Sequence, residues 1–216
     1  MNSPSTPSKG ALRRALSDLR WSIHNDLHDA FVRNVLPADL EPPKVQGYEL
    51  RFGTAADLDR ATLHDTELTP RCIEHGRRRL EIGHRLVVAC WDGLPVFTMW
   101  VNPRNFNVPG QVKRKLQHDE VFIYKAFSSP DHRGKRLYQA GMALVLCDLA
   151  ENSMRRLVGY AHVKKGASRA GLARVGFEAA GGWRTVGFKG LHRALCDREF
   201  ESNFPEQVPR SGAGLE

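Results

Sequence analysis

The most constraining stretch of the chain runs from Glu120 to Glu151. Its first part, Glu-Val-Phe-Ile-Tyr-Lys-Ala-Phe over residues 120–127, is apolar at nearly every position. That is the pattern of a central strand covered on both faces. Ser128-Ser129-Pro130-Asp131 ends it, and His132-Arg133-Gly134-Lys135-Arg136-Leu137-Tyr138 leads into a helix predicted from about Lys135 to Glu151. A buried strand that runs through a short loop into a helix demands layered α/β packing. It also exposes the helix N-terminus, whose first N–H groups have no intrahelical acceptor and whose dipole favours an anion, ideally a pyrophosphate. Arg133, Lys135 and Arg136 add positive charge there, and Gly134 lets the backbone come close to a ligand.

The flanking sequence alternates between strand and helix. Tyr48 to Phe52 reads as a short strand, and Thr54 is placed to cap a helix with Asp57 three residues on. A second helical stretch covers about Pro70 to Ile82. Arg85 to Trp91 and Pro95 to Val101 form a hairpin across Asp92-Gly93. Residues 102–117 are expected to be a loop, either a substrate-side flap or an insertion. Leu157 to Val163 reads as a strand and Ala167 to Val175 as a short helix. Gly176-Phe177 starts a final hairpin through Gly181-Gly182, with a last strand near Thr185 to Leu191. The order predicts a mixed α/β (α+β) fold with a central antiparallel meander.

Upstream, Leu12, Leu16, Leu19, Ile23, Leu27 and Phe31 recur at steps of three and four. This predicts an N-terminal helical extension from Ala11 to about Leu36, ended by Pro37 and a Glu41-Pro42-Pro43 linker. The expected plan is a disordered 1–9, a helix and linker over 10–46, a main domain over 47–204 and a polar tail over 205–216. The helix is expected to pack on the main domain or on a second subunit, which leaves a homodimer open.

The net charge of +8 calls for an anionic partner without naming it. No helix-turn-helix, zinc module or aromatic RNA-binding motif accompanies that charge, so no specific nucleic acid is expected. No run approaches about 20 apolar residues, so no membrane span is expected. The polar stretch Met1 to Lys9 has no apolar core behind it, which makes the cytoplasm the default. Cys72, Cys90, Cys147 and Cys196 are scattered, and no ligand spacing suggests a metal.

The loop carries a resemblance. Ser128-x-Pro130-x-x-Arg133-Gly134-x-Arg136-Leu137-Tyr138 resembles the acyl-CoA loop of the GCN5-related N-acetyltransferase (GNAT) superfamily, V-x-P-x-x-R-G-x-G-[IL]-[GA]. The apolar strand before it, and Ser168 followed eight residues on by Gly176-Phe177, agree in order and spacing over roughly Tyr48 to Leu191. The resemblance implies a splayed, mostly antiparallel central sheet flanked by helices. It implies a V between the strands at Glu120–Phe127 and Leu157–Val163. Acetyl-CoA or another acyl-CoA would be the co-substrate. Its pantetheine arm would lie against Ala126, Phe127 and Ser128, with the pyrophosphate on the amides of Arg133, Gly134, Lys135, Arg136, Leu137 and Tyr138. Ser168 would touch the arm or cap its own helix. The chain departs from the pattern in four places. Arg136 takes the place of the second glycine and Tyr138 that of a small residue. Lys165 falls where asparagine is common, and Leu172 where many members carry the tyrosine that protonates the leaving thiolate.

Acyl transfer to an amine needs a proton acceptor for the amine, a donor for the oxyanion and a proton for the thiolate. Some members use a glutamate in the equivalent strand, which makes Glu120 the candidate base. Alternation puts Glu120, Phe122 and Tyr124 on one face, and Tyr124 is the candidate acid. His132 is expected beside the phosphates, His118 at the surface, and His162 as a satisfied sheet histidine. The expected activity is direct transfer, in a ternary complex, from an acyl-CoA to the primary amine of a small metabolite. A protein or peptide amine, or an acyl-CoA sensor without catalysis, are the alternatives.

Overall fold

The structure is a computed structural model that describes residues 23–41, 43–61, 70–108, 111–188 and 191–205. Its main sheet has eight strands: β1 (Ile23–Asn34), β2 (Glu49–Gly53), β3 (Arg85–Trp91), β4 (Leu94–Asn102), β7 (Glu120–Ser128), β8 (Arg156–His162), β9 (Glu178–Phe188) and β10 (Leu191–Cys196). They lie in the order β10-β9-β1-β8-β7-β4-β3-β2. β7 and β8 are parallel, and the other neighbouring pairs are antiparallel. The helices are α1 (Ala55–Ala61), α2 (Pro70–Glu81), α3 (Leu137–Glu151), α4 (Gly166–Arg174) and α5 (Arg198–Asn203). Thr54 and Asp57 meet as expected at the start of α1, with the Thr54 N–H donating to Asp57 Oδ2 at 2.7 Å. The Asp92-Gly93 turn closes the β3–β4 hairpin with φ of 50° and 74°.

Each face of the sheet carries its own core. On one face α3 buries Leu137, Met142, Val145, Leu146 and Leu149 with Phe97, Met99, Val121, Ile123 and Leu157. On the other, Phe122, Val158 and Trp183 pack with Phe106, Val108, Val112, Phe200 and Phe204. Strand alternation therefore sends Phe122 and Val158 one way, and Val121, Ile123 and Leu157 the other.

Three expectations are corrected. The segment read as the C-terminal half of an N-terminal helix is strand β1, and it lies inside the sheet between β8 and β9. Ala30 joins one core and Phe31 the other, so apolar residues on both faces imitate a helical stripe. Pairing on both edges, with Ala30 opposite Tyr160 and Val32 opposite Val158, overrides the local periodicity. The earlier part of that reading, from Ala11 to Ser22, lies outside the described residues, as do 1–9 and 206–216.

The second correction is at 102–117, which is a hairpin of β5 (Asn105–Val108) and β6 (Val112–Lys115) and not a loose flap. Alternation across Asn105-Phe106-Asn107-Val108 buries the two apolar residues under the sheet. The third is at Gly181-Gly182, which is not a turn but lies within β9. The pairing with β1 shifts register there between Asp29 and Phe31. Gly181, at φ 84°, leaves room for the Phe200 backbone, where a β-carbon would collide.

A helix appended outside the domain would tolerate loss of one aromatic ring. An interior strand would not. Phe31→Ala is expected to cost about 3–5 kcal/mol in denaturant unfolding, the usual range for removing a buried phenyl ring.

Candidate functional site

β7 and β8 pair through only three positions, from Glu120↔Arg156 to Phe122↔Val158. Beyond Phe122 they part. β7 stays with β4, but its register slips between Thr98↔Phe127 and Trp100↔Tyr124, with Lys125 at φ 47°. This bulge turns the strand and leaves its β8-facing edge, from Ile123 on, without ladder partners among the described residues. The V expected between these two strands is present.

Two joined cavities occupy the V. The outer cleft has a volume of about 1030 Å³ and is bordered by Ala126, Phe127, Ser128, Arg133, Gly134, Arg136, Leu137, Tyr138 and Ser168. The inner cavity, of about 390 Å³, shares Ala126, Ser128, Tyr138, Lys165 and Ser168 with it. The fold thus brings together every residue expected to hold the cofactor except Lys135, which is exposed and borders neither cavity.

The outer cleft opens on a helix N-terminus with a basic rim. After the Pro130–His132 turn, Gly134 has φ 76°, and a β-carbon there would meet open space. Arg136 adopts the left-handed conformation, φ 61° and ψ 22°, at the N-cap of α3. It makes no side-chain capping hydrogen bond, so no side chain at the cap competes with a ligand for the first amides of α3. Arg133, Arg136, Lys165 and Arg174 surround the opening. The Arg133 guanidinium donates to the Ser128 carbonyl at 3.3 Å. His132 borders the cleft as expected, with its Nδ1 2.9 Å from the Tyr48 hydroxyl.

The inner cavity passes through the plane of the sheet. Phe97, Met99 and Ile123 come from the α3 face, whereas Tyr124 and Tyr160 belong to the opposite core. Ring contacts tie His28 and His162 to that second face. Tyr138 fills the space left by Gly171, where a β-carbon would lie 2.7 Å from the ring. Burial pushes its hydroxyl up to about 12, so the phenol stays neutral. The Tyr124 hydroxyl lies 2.5 Å from His84 Nδ1, and the ring stacks on Phe122. Lys125 also lines the cavity, with its ammonium held below the usual lysine range by burial and then by Arg79.

Glu120 is not where a base for this site is needed. It is 1% exposed at the closed end of the V and lines neither cavity. Arg156 pairs with it at 2.7 Å, Arg155 pairs with the same carboxylate, and the Gln117 N–H donates to it at 3.2 Å. A strand position whose carboxylate faces two cations at the start of the next strand, Arg156 within it and Arg155 just before it, is a structural ion cluster. Alternation placed Glu120 on the same face as Tyr124, but not at the same depth in the V. The residues that sequence reasoning missed are His28, Tyr160 and His84. His28 was hidden by the helical reading of β1; alternation along 23–34 is the signal that would have shown it. Leu172 is completely buried, which removes position 172 as a source of a proton.

This architecture is the GNAT fold. An acetyltransferase of the GNAT family from Colwellia psychrerythraea matches with a TM-score of 0.54 at 13% identity, over 84% of this chain and 63% of that one. A glucosamine N-acetyltransferase region of a fungal multi-domain β-N-acetylglucosaminidase matches with a TM-score of 0.54 at 13% identity, over 88% of this chain and 23% of that one. A functionally unknown protein from Staphylococcus epidermidis matches with a TM-score of 0.53 at 9% identity, over 87% of this chain and 69% of that one. The chain therefore spans less than two thirds of the length of two of these three structures. No family profile matches the sequence, and no curated protein matches it. At these identities the likeness establishes the fold.

Two substitutions separate structural from binding roles. Glu120→Gln leaves the buried Arg156 without its counter-charge and is expected to lower stability by about 3–5 kcal/mol. Stabilisation by acetyl-CoA, read as a melting shift, should stay unchanged. Arg136→Gly is expected to do the reverse. Relief of the left-handed backbone raises stability by about 1 kcal/mol, while loss of the guanidinium weakens acetyl-CoA binding in calorimetry.

Proposed function

We propose that this protein binds an acyl-CoA, in the first place acetyl-CoA, and transfers the acyl group directly to the primary amine of a small metabolite. The observation that carries this reading is the continuous passage from the basic N-terminus of α3, through the splayed strands, to the inner cavity on the opposite face. A long polyphosphate-tailed thioester suits such a passage: its anionic end needs orphan amides and cations, and its reactive end needs a dry pocket. The outer cleft supplies both parts of the first requirement, and the unpaired edge of β7 suits a pantetheine amide. The acetyltransferase structures of the same fold support the same chemistry.

The work left to the chain's own residues is positioning and charge control. Backbone N–H groups past the Lys125 bulge are the donors for a developing oxyanion. Tyr124, tied to His84, is the candidate source of a proton for the thiolate. Lys125 and Lys165 place positive charge beside the same cavity. Coverage of the second face by the β5–β6 hairpin and α5 favours a small acceptor over a protein chain. Trp183 Nε1 donates to Gln111 Oε1 at 2.8 Å and fixes that cover.

Acetyl-CoA at about 100 times its dissociation constant stabilises a protein by about 2.7 kcal/mol, so the melting temperature is expected to rise by about 5–10 °C. Arg133→Glu should abolish the shift and leave the unliganded melting temperature within about 2 °C, as its side chain is exposed. Absence of a shift with acetyl-CoA and longer acyl-CoAs in the unaltered protein would refute the reading.

A further inference from the structure

The inner cavity contains a histidine that the cofactor reading does not use. His28 lies in β1, directly opposite His162 of β8, and both rings border the cavity on the face away from the phosphate loop. His28 is 7% exposed, and its Nδ1 is buried with no hydrogen-bond partner among the described residues. The ring is held by packing instead. It stacks on Trp183 with centroids 5.0 Å apart and planes 8° apart, and it meets His162 edge-on at 4.9 Å. An imidazole clamped between aromatic rings on the wall of a cavity is a positioned base.

Resting on the acyl-transfer reading above, we infer that His28 accepts the proton that the acceptor amine sheds as it attacks the acyl carbon. The amine nitrogen forms the new C–N bond. The C–S bond breaks, its electron pair leaves with the thiolate, and the amine proton passes to the His28 imidazole. The acyl-CoA approaches from the α3 face, so the amine must come from the other side of the V. That side is walled by His28, Tyr160 and His162 from β1 and β8, and by Tyr124 from β7.

The surroundings keep His28 ready for that role. Burial first, and then His162, hold its pKa below 6.5, while Asp26 on its own strand opposes them. The remaining titratable groups around it are Tyr160 on β8, Tyr124 and Lys125 on β7, and Lys165 ahead of α4; Trp183 on β9 carries no charge. His162 is a poorer candidate. Its Nδ1 already accepts from the Lys164 N–H at 3.0 Å, and its Nε2 faces Asp26 at 3.5 Å. A neutral His28 is a proton acceptor above its pKa and loses that capacity as the pH falls through it.

The test is His28→Asn, which keeps a hydrogen-bonding side chain but no base. Release of free CoA from acetyl-CoA is followed with glucosamine, ethanolamine and tyramine as acceptors, together with the melting shift given by acetyl-CoA. The expected result is an unchanged shift, an unchanged KM for acetyl-CoA and a fall in kcat of about 100-fold, within the range for loss of a general base. The unaltered protein should lose kcat/KM as the pH falls through the His28 pKa, which lies below the ordinary histidine value, and the variant should lack that acid limb. His28→Gln serves as a second variant if His28→Asn does not melt cooperatively. A variant with unaltered kcat and pH profile overturns the assignment of His28. A protein that binds acetyl-CoA but releases CoA to none of the amines overturns the proton transfer and leaves cofactor binding standing. A protein with no acetyl-CoA shift removes the acyl-transfer reading itself.

Discussion

Two parallel strands that pair for three residues and then separate are the constraint on which everything else in this molecule depends. A parallel pair inside a sheet would ordinarily stay closed, because each unmade ladder bond leaves a buried donor or acceptor without a partner. Here two devices hold the strands apart. Lys125 takes a positive φ and bulges β7, which keeps its pairing to β4 up to Phe97↔Ser128. On the other side, β1 engages β8 from His28↔His162 to Asn34↔Arg156 and holds it along its full length. Each strand of the V therefore has a firm partner on its outer edge, and the gap between them becomes usable space.

The closed end of the V explains a charge cluster that would otherwise look functional. Glu120 opens β7 and faces Arg155 and Arg156 at the point where the parallel pairing begins. Arg156 in turn donates to Asn203 at 3.2 Å, which ties the apex of the V to α5 beneath the second core. The open end has the opposite character. There the cations Arg133, Arg136, Lys165 and Arg174 gather around a helix N-terminus whose cap makes no side-chain hydrogen bond. One end of the same strand pair is neutralised internally, and the other presents charge outward.

Sequence reasoning read the strand–loop–helix segment accurately because its signals are local. Gly134 and Arg136 occupy left-handed backbone positions, and Ala126, Phe127, Ser128, Arg133, Gly134, Arg136, Leu137 and Tyr138 border one cleft. The Asp92-Gly93 turn was legible for the same reason. Failures came where a residue's partner lies far along the chain. Ile23, Leu27 and Phe31 recur at a helical interval, yet β1 is paired with strands more than a hundred residues away. The 105–115 hairpin has Pro103 just before it and Pro109-Gly110 within its sequence, which suggest a loop, but its alternate residues meet Phe122 and Trp183. Glu120 has a plausible position by counting along β7, and only Arg155 and Arg156, at the entry to the next strand, decide what it does.

By itself, then, the sequence determined the α/β layering and the basic glycine-containing turn at the head of α3, since these follow from hydrophobic period, glycine placement and charge within one continuous segment; the residues expected along the cleft came from the resemblance that segment carries. The tertiary structure decided which strand opens the V, which carboxylate is structural and which histidines line the inner cavity. Those depend on pairing between distant strands, and a strand's partners are chosen by burial and register across the whole sheet and not by any pattern within the strand.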